Sequence, residues 1–352
     1  MIAAHVSLRR YRSYPQLELA LEPGVVLVVG ENGAGKTNLL EALHVGTQGF
    51  SPRTRSDREL IRFGEDTASV ALDGLRGETP LQLRVSLSTT DAKRAVVNGA
   101  RLASAEQLRR TAQTLVFTPD RLAVVKGGPA ARRAYVDRAI GRLLPGRASL
   151  PAEYGAAVAQ RNAALRRASL GLSTREPIEP WTEQVAAAGA RLVETRLAVL
   201  AQLEPGFTEL LGELGLPGGQ LSYRGEPPTV EQLEARLDRD IDRSTTGVGP
   251  HLDEVVVAAG GRELRSFGSQ GEQRLAVLSL LLAEAELLAG EGPPPLLLLD
   301  DVLSELDPGR RRTLAARIGR MGQTVITATS PTALPVAPDQ LVEVVPGEAV
   351  AR

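Results

Sequence analysis

The sequence predicts an α/β protein with strands toward both ends of the chain and helices through its middle. Three observations carry that expectation. Val25-Val26-Leu27-Val28-Val29 is a β-branched run ending in Gly30, the pattern of a fully buried parallel strand. Leu296-Leu297-Leu298-Leu299 is a second apolar run, closed by Asp300 and Asp301. Between them, over about residues 129–242, the apolar period becomes 3.6, with Ala- and Leu-rich stretches such as 183–203.

Taken in order, residues 38–45 follow the first buried strand with Leu39, Leu40 and Leu43 at helical spacing. Alternating segments come next: Ala68-Val70-Leu72, Leu81-Leu83-Val85-Leu87, and Ala95-Val96-Val97 before Asn98-Gly99. The Asn-Gly pair is a hairpin turn signal, because both residues tolerate positive φ. Breaks at Pro145-Gly146, residues 177–180 and Pro205-Gly206 divide the middle into several helices. No heptad pattern is sustained there, so a long coiled coil is not expected. Strands return around 255–257 before the turn Gly260-Gly261; a helix starts at Gln270, and Val325-Ile326-Thr327 reads as a third buried strand.

Composition narrows the chemistry. The chain has 352 residues, 43% hydrophobic and 24% charged, which suits a soluble protein of two or three domains. Cysteine is absent and His5, His44 and His251 are the only histidines, so thiolate zinc sites, disulfides and cysteine nucleophiles are excluded. Basic and acidic residues number 41 and 42, so global charge says nothing about polyanionic partners. Only Lys36, Lys93 and Lys126 are lysines, which makes each one informative. The opening residues lack a signal-peptide pattern, and no apolar run approaches the ~20 residues of a membrane span. A cytoplasmic location is the expectation.

Gly30-Glu31-Asn32-Gly33-Ala34-Gly35-Lys36-Thr37 fits G-x-x-x-x-G-K-[ST], after a strand and before a helix. In that context the pattern is a P-loop: successive backbone N–H groups and a helix N-terminus surround phosphates, and glycine lets the backbone approach. Lys36 would reach the β- and γ-phosphates of ATP, and the Thr37 hydroxyl would ligate Mg²⁺. The strand-terminal Asp300 reads as the Walker B acid for that ion, with Asp301 placed to polarise an attacking water. Ser269-Gln270-Gly271-Glu272 is a capping box opening a helix, 31 residues before Asp300.

A P-loop, an S-x-G-E segment, a Walker B strand with a following acid, and Ser304-Glu305-Leu306-Asp307 as a D-loop stand in the order of an ABC-type ATPase head. The set resembles the SMC/Rad50 branch and, over nearly the whole chain, the RecF family of recombination mediators. Arg53-Thr54-Arg55-Ser56-Asp57, the Leu-x-x-Val-Lys-Gly-Gly of 122–128 followed by Arg132-Arg133, and Gly249-Pro250-His251 carry the likeness. Leu252 departs from it, since RecF-like chains usually have Arg there. Asp301 stands where transporter ATPases carry Glu, and Thr327, Thr329 and Ser330 occupy the switch region in place of a His.

The resemblance implies a two-lobed ABC-type ATPase head without a long coiled coil. Residues 1–123 and 295–352 would form the ATP-binding lobe, and 124–294 a helical lobe carrying the signature. It implies catalytic roles for Lys36, Asp300, Asp301 and, in trans, Ser269. Residues 30–37 and Arg12 would contact the nucleotide. Gln113 is the candidate Q-loop glutamine. One P-loop and one signature per chain imply a homodimer closing on two ATPs, holding DNA, with slow hydrolysis as release. RecR and RecO are the partners the family suggests, in gap repair and SOS induction.

Residues 126–175 hold ten basic residues against Asp137 and Glu153, a footprint for phosphate-backbone binding. Lys126, Arg132, Arg133 and Arg138 are its leading DNA contacts. Tyr135 and Tyr154 are the only aromatics there, so duplex backbone contact fits better than base stacking. Two rivals stay open. A transporter nucleotide-binding subunit would normally have ~100 residues between P-loop and signature, against 239 here. An SMC-like structural ATPase would need hundreds of heptad residues.

Overall fold

The computed structural model describes residues 1–304 and 306–352, with the side chain of Ala105 excepted. Glu305 of the expected D-loop lies outside the described residues. The chain forms two compact units. One comprises Met1–Arg121, Glu213–Gly215 and Leu281–Arg352; the other comprises Leu122–Gly212 and Leu216–Leu280.

The first unit contains two six-stranded sheets. Strands β1 (Ile2–Tyr11) and β2 (Tyr14–Ala20) form a hairpin; β3 (Val25–Val29) passes into the second sheet. Strands β4 (Thr67–Arg76), β5 (Thr79–Ser88), β6 (Arg94–Val97) and β7 (Ala100–Arg101) complete the first, antiparallel sheet in the order β2-β1-β4-β5-β6-β7. Asn98 and Gly99 turn β6 into β7 with φ of 48° and 83°, as that dipeptide predicts. Strand β8 (Thr114–Phe117) belongs to the second sheet.

The helix Lys36–Gln48 lies between the sheets, and everything from Leu39 to Gln48 is buried. Its apolar spacing suggested one buried face. Packing covers it on every side: Val70 and Leu72 of β4 press so closely on Gly46 that a Cβ there would meet them within about 3 Å.

In the second unit the helices Pro129–Leu143, Leu150–Ser169 and Glu179–Glu213 dominate. Proline did not end the last of these. Pro205 sits inside a 35-residue helix because Leu203, Phe207, Leu210 and Leu211 continue one buried stripe past it, so packing outweighs the missing backbone donor. A strand that the helical period concealed, β9 (Gly219–Arg224), pairs with β10 (Glu254–Ala259), and β11 (Arg262–Glu263) completes a small antiparallel sheet.

Back in the first unit, β12 (Leu296–Leu299), β13 (Thr324–Ala328), β14 (Gln340–Val345) and β15 (Glu348–Ala351) finish the second sheet, in the order β15-β14-β3-β13-β12-β8. All of its pairings are parallel except the edge hairpin β14–β15. Strand β13 therefore lies between β3, which feeds the P-loop, and β12, which feeds Asp300. The carboxyl ends of parallel strands are where such sheets bind ligands.

Candidate nucleotide site

Two glycines of the P-loop are required for different reasons. Gly35 has φ +119°, a conformation hostile to a side chain. At Gly30 the obstacle is space, since a Cβ would lie 2.3 Å from the carbonyl oxygen of Val344 on β14. The Tyr14 hydroxyl donates to the Gly35 carbonyl at 3.1 Å, and Asn38 Nδ2 donates to Ser13 Oγ at 3.0 Å. The β1–β2 turn thus braces the loop from outside. Gly35 offers no capping side chain to the helix Lys36–Gln48, and its first turn carries no acid. The first N–H groups of that helix are left for an anion. A phosphate chain fits this cradle.

Lys36 Nζ donates across the loop to the Gly30 and Glu31 carbonyls, at 2.7 and 2.8 Å. Partial burial lowers its pKa, and the nearby charges of Asp301 and Asp300 raise it. Asp300 is buried at the end of β12, and its backbone N–H donates to Phe117 O of β8. Its Oδ1 accepts from Thr37 Oγ1 at 3.0 Å and from Thr327 Oγ1 at 2.7 Å. Burial pushes the Asp300 carboxyl above its usual range; the two hydroxyl donors pull it back. A hydroxyl and a carboxylate oxygen are hard donors suited to Mg²⁺, which keeps several waters and takes few protein ligands.

Thr327 was legible only as part of a switch region, yet it joins the two acids. Its hydroxyl donates to Asp300 and accepts the Asp301 N–H at 2.9 Å. Asp301 itself is exposed and has φ +49°, a left-handed conformation uncommon for non-glycine residues. The register of β13, with Ile326 beside Leu299, puts Thr327 next to Asp300. Thr327→Val removes one donor and one acceptor together; the expected loss is about 1–2 kcal/mol, roughly ten-fold in single-turnover ATP hydrolysis. Thr327→Ser should retain most activity. Equal rates in Val and Ser variants would assign the hydroxyl no part in positioning the acids.

Arg12, with φ +48°, sits on the same bracing turn. Its Nε and Nη2 form a fork with Glu41 Oε2 and Oε1, at 2.8 and 2.9 Å. Glu41 is fully buried on the helix Lys36–Gln48 and also accepts from Ser51 Oγ and, at 3.5 Å, from Arg53. In this structure the Arg12 guanidinium is committed to an acid rather than free for a nucleotide. Glu41 was missed; its one signal is an acid inside the apolar stretch 39–45.

Ser269 forms the expected capping box: its N–H donates to Glu272 Oε2 at 2.7 Å, and the Glu272 N–H donates to Ser269 Oγ at 3.2 Å. Ser269, Gln270 and Gly271 are exposed, next to Phe267, which is 68% exposed.

Two expectations need correction. Gln113 stands at the start of β8, where its carbonyl accepts from Leu296 N at the start of β12. Asp300 follows the other end of β12, so Gln113 cannot line this site. Arg132 is not a surface cation. It is 2% exposed, donates to the Val125 and Gly127 carbonyls and pairs with Glu254, so it closes a turn instead of facing a polyanion. Arg133 is half-buried and donates to Asp253 O at 2.7 Å. Lys126 and Arg138 are exposed. Arg161, counted in the same basic segment, is fully buried. The segment is therefore not one continuous basic face.

A P-loop beside a strand-terminal acid, on a parallel sheet backed by an antiparallel one, defines a P-loop ATPase of the ABC head class. The chain belongs to the RecF family: the model for the RecF/RecN/SMC N terminal domain matches residues 2–351. It is 34% identical to the DNA replication and repair protein RecF of Heliobacterium modesticaldum, covering 96% of this chain and 94% of that one. The Kineococcus radiotolerans protein of the same name is 36% identical, with 96% and 95% covered. A solved structure of the recombination mediator protein RecF with ATP, described within the RecFOR pathway, superposes with a TM-score of 0.88 at 27% identity, over 99% of this chain and 97% of that one. An Smc head bound to the winged-helix domain of ScpA shares the fold, with a TM-score of 0.62 at 16% identity.

Proposed function

We propose that this protein is an ATP-dependent DNA-binding protein of recombinational repair and replication. It dimerises on DNA when ATP binds and uses slow, DNA-stimulated hydrolysis to let go. The observation that carries the ATP half is the junction of Lys36, Thr37, Asp300 and Thr327 at the carboxyl ends of three adjacent strands. Near full-length likeness to RecF proteins supports the repair half. Gap repair, SOS induction, and RecR and RecO as partners are part of the same reading. So is the division into an ATP lobe of 1–123 and 295–352 and a signature lobe of 124–294.

Residues 30–35 would surround the phosphates with backbone N–H groups. Lys36 would exchange its two loop carbonyls for the β- and γ-phosphates, offsetting their charge. Thr37 and Asp300 would hold Mg²⁺, which supplies charge stabilisation on the phosphoryl oxygens. Asp301 would orient the attacking water. It is one methylene shorter than glutamate and no histidine stands at the end of β13, so water is held loosely and turnover is slow. The longest helix among the described residues has 35 residues, which disfavours an SMC-like tether.

The decisive test concerns Ser269. If it serves the ATP held by the other subunit's Lys36, Ser269→Arg should bind ATP as a monomer but fail to dimerise or hydrolyse. Mixing it with Lys36→Met should rebuild one composite site and recover part of the hydrolysis that neither parent shows. Ser269→Ala controls for the lost helix cap, worth about 1 kcal/mol. A mixture without activity, with both variants equally destabilised, would reduce Ser269 to a capping residue.

A further inference from the structure

The arginines of the helical segment are largely tied up, but the first sheet carries others that are not. Its inner face, with Val6, Leu8, Val70, Leu72, Leu83 and Val85, belongs to the buried core. Alternation puts the intervening residues on the opposite face. Register lines them up across five strands: Gln16, Arg9, Ser69, Ser86 and Arg94 are successive cross-strand partners. The neighbouring row on that face runs Glu18, Ser7, Ala71, Arg84, Val96 and Arg101, its one acid lying at the β2 edge and accepting from Ser7 Oγ at 2.8 Å.

The result is a trough. Ser69 and Ser86 form a floor of small residues between Arg9 on β1 and Arg94 on β6, while Arg84 on β5 and Arg101 on β7 stand in the neighbouring row. A cleft of about 270 Å³ opens over it, lined among others by Arg9, Arg10, Ser69, Ser86 and Arg94, with Asp91 the one acid among its described lining residues. Arg9, Arg84, Arg94 and Arg101 are exposed, and among the described residues none has a carboxylate partner. Arg10 is engaged, donating to Thr67 Oγ1 at 3.1 Å and facing Glu65 at 3.7 Å. An unpaired set of cations around a hydroxyl-lined floor is suited to phosphate oxygens.

Geometry selects the form of the polyanion. Arg9 and Arg94 are three strand intervals apart, about 14 Å between backbones. That is close to the ~12 Å width of a duplex major groove, so phosphates of both flanking strands come within reach of the two side chains. Among the described residues no aromatic side chain lines the cleft, so unstacked bases have nothing there to stack on. We propose that this sheet face, through Arg9, Arg84, Arg94 and Arg101, is a docking surface for the backbone of duplex DNA. The proposal rests on the DNA-binding reading above and gives that reading a location distinct from the helical segment.

The test uses the full chain with ATP and a fluorescent 30-base-pair duplex, titrated at several salt concentrations. The Arg9→Gln/Arg94→Gln variant should lose affinity for every duplex sequence alike. Its log–log salt slope should flatten by roughly 0.9 for each phosphate that the variant no longer neutralises. Arg84→Gln should add to the loss, and ATP affinity without DNA should stay as in the parent. The Arg166→Gln/Arg167→Gln variant, altered at exposed positions of the helical segment, should keep the parental slope. If the parent binds duplex and the sheet variants bind it with an unchanged slope, the surface is wrong and the DNA-binding reading stands. If the parent binds no duplex at any salt concentration, the reading fails and the surface with it.

Discussion

Lys36→Met abolishes ATP binding while leaving the protein folded. The side chain is only partly buried, and its two hydrogen bonds go to loop carbonyls at the protein surface, so removing them costs little stability. What disappears is the one lysine at the phosphate cradle. The β- and γ-phosphates then lose the ammonium that offsets their charge, and two charge-assisted bonds worth about 1.5–3 kcal/mol each are lost, roughly 10²-fold or more in affinity. Calorimetric titration with ATP checks the loss, and a thermal melt checks the fold. ATP-dependent dimerisation, followed by light scattering, should vanish with it. Parental ATP affinity in this variant would overturn the P-loop assignment.

The largest effect on stability is expected at Asp240. Arg161 is fully buried within the second unit, and its Nη1 donates to Asp240 Oδ2 at 2.8 Å and to Thr246 Oγ1 at 3.0 Å. Its Nε donates to Thr182 Oγ1 at 3.0 Å, and its Nη2 to Leu233 O at 3.3 Å. Asp240 Oδ1 in turn accepts the Gly247 N–H at 3.2 Å. Asp240→Ala leaves a guanidinium in the interior without its counter-ion, which costs about 3–5 kcal/mol. The melting transition should fall by roughly 10 °C. Removing both charges, as in Arg161→Met/Asp240→Leu, should recover much of the loss, because the penalty lies in the unpaired charge. If the double variant melts no higher than the single one, the hydrogen bonds to Thr246 and Gly247 hold the fold, and the charge pairing does not.

The parts of the site that were legible in the sequence are those held in one short string. Residues 30–37 announce a P-loop because strand, glycines, lysine and hydroxyl are consecutive. Asp300 and Asp301 are legible because a buried strand ends on them. Ser269 and Glu272 read as a capping box because the box is local. Thr327 was harder: its importance depends on β13 lying between β3 and β12, and strand order is not written in any one segment. Glu41 was hidden for a related reason, since a buried acid is interpretable only when Arg12 and Arg53 are seen around it. Arg132 was misread because a charge count cannot tell an outward arginine from one folded onto Val125, Gly127 and Glu254. Strand β9 escaped because its apolar residues, Leu221 and Tyr223, are few and lie in a helical neighbourhood.

The strand order of the nucleotide sheet also bears on how the protein is made. Strand β3 is flanked by β13 and β14, so neither of its neighbours exists until about three hundred further residues have left the ribosome. The carbonyl of Val344 that crowds Gly30 arrives late as well. Sheets assembled from such distant segments carry a large loop-closure cost and form slowly. The antiparallel sheet β2-β1-β4-β5-β6-β7, by contrast, is finished within the first 101 residues and can offer the helix Lys36–Gln48 a partial shelter during the wait. A nascent chain would then gain its phosphate cradle only once β13 and β14 have emerged, which ties nucleotide capture to completion of this sheet.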